Sequence, residues 1–119
     1  MLRFVKTYGL PIYITENGIA DETDEKRAKY LLLHLKEIAK EIELGTDIRG
    51  YYYWSLIDNF EWIKGFVPRF GLIEVDYRTM ERKKRLSADV YRQLILSHHG
   101  RHTHPKLNLV ESVIQSLLM

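Results

Sequence analysis

The sequence predicts an α/β fold built on parallel strands. Three observations carry that prediction. Residues 11–15 form a short apolar run, residues 25–44 repeat their apolar positions with helical spacing, and residues 48–56 form a second extended run rich in aromatics. A strand, a helix of about twenty residues and another strand make a βαβ unit, and that crossover joins parallel strands.

Each element has its own local reason. At the start, Leu2, Val5 and Phe4 share one helical side and Gly9 follows them. Pro11-Ile12-Tyr13-Ile14-Thr15 reads as a buried strand, and Asn17-Gly18 after it is a turn signal. Asp24 is the expected N-cap of the long helix. Its apolar positions are Ala28, Leu31, Leu32, Leu35, Ile38, Ala39 and Ile42, a one-sided stripe. Lys29, Lys36, Glu37, Lys40 and Glu43 cover the other faces, and Gly45 ends the helix. The second strand carries Tyr51, Tyr52, Tyr53 and Trp54. Residues 58–68 read as a long irregular loop, and residues 71–80 as a short extended piece and turn. The basic run Arg82-Lys83-Lys84-Arg85 reads as a solvated tip. Residues 86–96 form the last helix of this part, opened by Ser87-Ala88-Asp89, with Leu86, Val90, Leu94 and Tyr91 turned inward.

The tail differs in character. His98, His99, His102 and His104 crowd one stretch, with a spacing that matches no zinc template. Val110, Val113, Ile114, Leu117 and Leu118 recur at helical spacing, and Asn108 with Glu111 resembles a capping box. That stripe suits an oligomer-forming helix or a strap over the rest of the protein. Domains are therefore expected at 1–97 and 98–119.

Composition sets outer bounds. The 119 residues are 45% hydrophobic and 29% charged, ordinary for a globular chain. A net charge of +2 is too mild to imply a nucleic-acid partner. There is no cysteine, hence no disulfide framework and no thiolate metal site. No apolar run approaches the ~18 residues of a membrane span. Residues 1–6 lack the apolar core of a secretion signal, so a cytoplasmic location is expected.

The chemistry concentrates in two segments. ITENG, residues 14–18, delivers the carboxylate of Glu16 to a strand tip. WSLIDNFEW, residues 54–62, is followed by FVPRFGL at 66–72. By residue type alone, Glu16 also suits a surface turn, Trp54 ordinary core and Glu61 an exposed loop acid. Together the two segments resemble the C-terminal part of the family 1 glycoside hydrolases, the β-glucosidase and β-galactosidase group. The resemblance runs over residues 2–100.

That resemblance implies a specific site. Glu16 matches the catalytic nucleophile of a retaining glycosidase, in which two carboxyl groups stand ~5–5.5 Å apart. Trp54 matches the tryptophan beneath the sugar, Glu61 the carboxylate that binds two sugar hydroxyls, and Trp62 the indole that donates to a third. Phe70 matches an aromatic of the same subsite. Asp58 and Asn59 are expected to shape the loop, and Asn17 to be structural. No metal or organic cofactor is implied. The family folds as a (β/α)8 barrel of roughly 250 residues, so this chain is expected to hold about its last two βα units and cannot close a barrel alone. The family's acid/base glutamate sits in a TxNEP-type motif on an earlier strand, and no NEP occurs here. General acid catalysis is worth ~10²–10⁴-fold, so negligible activity is expected of the isolated chain. Expected partners are a β-glycoside substrate and a separate polypeptide supplying the remaining barrel, or further copies of this chain through exposed strand edges. A non-catalytic fragment and a weak sugar-binding module stand as alternatives.

Overall fold

The computed structural model describes residues 1–99, and of residues 98 and 99 the backbone alone. A short helix α1 (Leu2–Val5) runs into a 3-10 turn, Lys6–Tyr8, which stops at Gly9 in the left-handed region at φ 65°. Then come β1 (Ile12–Asn17), α2 (Arg27–Glu43) and β2 (Ile48–Tyr53). β1 and β2 pair in parallel, with Ile12 opposite Ile48 and Asn17 opposite Tyr53. The expected βαβ unit is therefore present. Strands β3 (Ile73–Val75) and β4 (Arg82–Lys84) form an antiparallel ribbon, and α3 (Leu86–His99) follows. Among the described residues the parallel sheet holds two strands and no barrel is closed. The tail helix expected over 110–118 and the side chains of the histidine cluster lie outside the described residues.

The core sits where α2 and α3 cover one face of the parallel pair. Leu31, Tyr53 and Leu72 form its centre, surrounded by Leu35, Tyr51, Ala88, Tyr91 and Leu94. Leu32, Ile38, Val75 and Val90 are buried as well. Each fully buried aliphatic side chain among them stabilises by about 1.5–3 kcal/mol through removal from water.

The structure corrects four local readings. Asp24 does not cap α2. It adopts φ 64°, and its carboxylate accepts from the backbone N–H of Ser87 at 2.9 Å and the Ser87 hydroxyl at 2.6 Å, closing the start of α3 instead. The first free amides of α2 go to Asp21, whose Oδ2 accepts from Lys26 N–H at 2.8 Å and Arg27 N–H at 3.1 Å. β2 ends at Tyr53, and the Trp54–Ser55 peptide bond just beyond it is cis. The basic run splits: Arg82, Lys83 and Lys84 are exposed strand, whereas Arg85 is buried. Leu86 faces solvent at 64% exposure because Ser87 takes the buried position beside it.

Candidate functional site

Glu16 is the penultimate residue of β1 and is exposed. Its carboxylate has no hydrogen-bond or ionic partner among the described residues. The backbone that carries it is fixed from the next residue onward. Asn17 Nδ2 donates to the Tyr30 hydroxyl at 3.1 Å, and the Tyr51 hydroxyl donates to Asn17 Oδ1 at 2.9 Å. The Asn17 carbonyl accepts from Trp54 N–H at 3.0 Å. Gly18 follows because a Cβ there would stand 1.6 Å from the Trp54 carbonyl oxygen. So the Asn-Gly pair is a docking point between the tips of β1 and β2 as well as a turn. Burial of Tyr51 raises its hydroxyl pKa far above the ordinary value, so it stays a hydrogen-bond donor at every ordinary pH.

Trp54 leaves the tip of β2 on the same end of the sheet. Its indole N–H donates to Glu61 Oε1 at 3.2 Å. Glu61, Trp62 and Phe70, with Ala20, Ile63 and Pro68, line an open pocket of about 390 Å³. Trp62 is 82% exposed and sits at φ 50°. A non-glycine residue in that region costs about 1–2 kcal/mol. The conformation is held by Glu61 N–H donating to the Gly65 carbonyl at 2.7 Å and Gly65 N–H donating to the Trp62 carbonyl at 3.0 Å. Thus three of the four sequence-predicted sugar contacts share one pocket, and the fourth, Trp54, is bonded to its wall. Glu16 lies outside that wall. A larger cleft of about 670 Å³ opens between the starts of α2 and α3 and the β3–β4 ribbon, and contains none of the predicted residues. Among the described residues no three His, Cys, Asp or Glu side chains are grouped to hold a metal ion.

The family model for glycosyl hydrolase family 1 matches residues 1–100. The chain belongs to glycosyl hydrolase family 1. It is 47% identical over 97 residues to a β-galactosidase of Sulfolobus acidocaldarius, a match covering 82% of this chain and 20% of that protein. Among solved structures it is similar to the β-glycosidase from Pyrococcus horikoshii, with 55% identity and a TM-score of 0.76 over 78% of this chain and 22% of that one. It is also similar to the hyperthermophilic β-glucosidase from Pyrococcus furiosus, with 46% identity and a TM-score of 0.79 over 81% of this chain and 21% of that one. The chain spans about a fifth of the length of the curated relatives it matches. Its α/β fold is accordingly a portion of a TIM barrel.

This family 1 chain also builds a buried polar cluster that the sequence only hinted at. Asp58, 4% exposed, accepts from Arg85 Nη1 at 3.0 Å and Nη2 at 3.2 Å, and from the amides of Gly71 at 2.8 Å and Val75 at 3.3 Å. Burial opposes its ionisation, but the Arg85 hydrogen bond and those amides outweigh burial and hold the carboxyl below its ordinary range. Arg69 sits over the Tyr77 ring at 4.6 Å and donates to the Val75 carbonyl at 3.0 Å. Arg27, fully buried, donates to the carboxylate of Asp24 and to the carbonyls of Asp21 and Arg69. Asp58 was legible as a loop-shaping residue. Arg27 and Arg85 carried no sequence signal, because a buried arginine looks like a surface one until its partners are known.

Proposed function

We propose that this chain carries the nucleophile and part of the sugar-binding wall of a retaining β-glycosidase acting on β-glucosides or β-galactosides. The observation that supports it best is that both parallel strands end together: Glu16 stands at the tip of β1, and Trp54, bonded to Glu61, leaves the tip of β2. The carboxyl-terminal ends of barrel strands are where such enzymes place their reacting groups. On this reading Glu16 attacks the anomeric carbon and forms a glycosyl-enzyme ester. Trp54 and Phe70 offer flat apolar faces to the sugar, and Glu61 and Trp62 bind its hydroxyls. The second carboxyl group, which protonates the leaving oxygen and then activates water, comes from an earlier strand of the barrel. The remaining strands of the barrel complete the site on this reading, and a separate polypeptide carrying them, or further copies of this chain, are the partners that fit it.

The division into a barrel portion at 1–97 and a tail at 98–119 belongs to the same proposal, and the family match ending at residue 100 supports it. So does a cytoplasmic location, with which a chain lacking cysteine is compatible. Among the described residues no helix is long and apolar enough to cross a membrane.

The test is to trap the intermediate. The chain, mixed with a polypeptide carrying the first six βα units of a family member, is quenched in acid during turnover of an aryl β-glucoside. After digestion, the peptide containing Glu16 is expected to carry one hexosyl group. A hexosyl group on any other residue overturns the assignment.

A further inference from the structure

The chain's three asparagines, Asn17, Asn59 and Asn108, precede Gly18, Phe60 and Leu109. Asn17 alone is followed by glycine. In an Asn-Gly pair the following amide nitrogen reaches the side-chain carbonyl carbon readily, because glycine has no Cβ to hinder ring closure. The reaction balances with water as its one co-reactant. Gly18 N bonds to Asn17 Cγ, the Cγ–Nδ2 bond breaks, and ammonia leaves with the proton from Gly18 N–H. Water then opens the succinimide ring. Attack at Cγ leaves aspartate, and attack at the main-chain carbonyl leaves isoaspartate, with one extra carbon in the backbone.

The fold opposes the first step. Cγ has to turn toward Gly18 N, yet both halves of the carboxamide are held: Nδ2 by the Tyr30 hydroxyl at 3.1 Å and Oδ1 by the Tyr51 hydroxyl at 2.9 Å. The Asn17 carbonyl is fixed by Trp54 N–H at 3.0 Å, and Gly18 is pressed against the Trp54 carbonyl. Neither Tyr30 nor Tyr51 is exposed. We propose that Asn17 is a site of spontaneous deamidation, and that the Tyr30–Asn17–Tyr51 clamp holds it shut in the folded chain. Opening it places a new negative charge one residue from Glu16. Where isoaspartate forms, it also lengthens β1 at the point where Asn17 pairs with Tyr53.

The full chain is incubated in mildly alkaline buffer, with and without urea, and the peptides containing Asn17 and Asn59 are followed by mass. In urea, Asn17 is expected to deamidate well ahead of Asn59. In the folded chain it is expected to be slower than in urea by about tenfold or more, the protection that local closure provides. Removing one clamp hydrogen bond with Tyr51→Phe is expected to raise the folded-state rate by about two- to tenfold and leave the rate in urea unchanged. Should Tyr51→Phe lose its far-UV circular dichroism, Tyr30→Phe serves in its place. Equal Asn17 rates in buffer and in urea overturn the proposal, and so does a folded variant whose rate matches the parent chain.

Discussion

Tyr52 and Tyr53 are consecutive residues of β2, yet Tyr52 is 59% exposed and Tyr53 is 8% exposed. The difference holds for the whole parallel pair. On the Tyr53 side, α2 and α3 cover the strands, and the charged groups beneath, Asp58 with Arg85 and Asp24 with Arg27, are buried in pairs. On the other side Tyr13, Glu16, Tyr52 and Trp54 face solvent, and Trp62 and Ile63 stand free beyond them. β2 thus serves two purposes through its period-two alternation, and in β1 a register shift between Ile14 and Asn17 leaves Thr15 and Glu16 exposed in succession. Stability is concentrated in the covered side, and the groups assigned to chemistry are concentrated on the open side. Substitutions should separate accordingly.

The largest stability effect is expected from Asp58→Ala. It leaves Arg85 buried without its counter-charge, which typically costs about 3–5 kcal/mol. Urea unfolding should show a lower midpoint at unchanged slope; a loss under about 1 kcal/mol would erase the distinction between the two sides. Leu31→Ala, at a position with no exposure, should cost about 2–5 kcal/mol by the same measurement.

The carboxylates give a pH test of the same contrast. The folded-state pKa values of Asp58 and Asp21 lie below the ordinary 3.8: burial opposes ionisation, but it is outweighed at Asp58 by the Arg85 guanidinium and the Gly71 and Val75 amides, and at Asp21 by the Lys26 and Arg27 amides with the nearby Arg27 charge. A depressed folded pKa contributes stability that is present above the unfolded value and is lost as pH falls through the folded one. Urea midpoints should therefore decline as pH drops below the ordinary carboxylate value.

Smaller effects lie on the open side. Trp62→Gly relieves about 1–2 kcal/mol of left-handed strain, against which glycine adds unfolded-chain entropy. A net gain in stability of up to about 1 kcal/mol is expected. A loss would mean that the exposed indole is supported by more than its backbone. Glu16→Gln, exposed and without a partner among the described residues, should change stability by less than about 0.5 kcal/mol.

The βαβ unit was legible because each element is written locally: the apolar run before ENG, the stripe from Ala28 to Ile42, the aromatic strand after Gly45. Both motif segments were legible by residue and spacing. What the sequence hid depends on partners far along the chain. Asp24 precedes α2 and looks like its cap, but its partner Ser87 is 63 residues away. Arg85 ends a basic run and looks solvated, but its partner Asp58 is 27 residues away. Such pairings follow from tertiary packing, which overrides local preference. The left-handed Trp62 was equally hidden, since a bulky residue gives no advance sign of a positive φ.

The central claim is that Glu16 supplies the nucleophile of a site that this chain forms only in part. The most direct measurement is the rate of aryl β-glucoside hydrolysis by four samples: the chain, its Glu16→Gln variant, and each mixed with the first six βα units of a family member. The account predicts turnover in the mixture containing Glu16 and none in the other three. Equal turnover in both mixtures, or turnover by the chain alone, would contradict it.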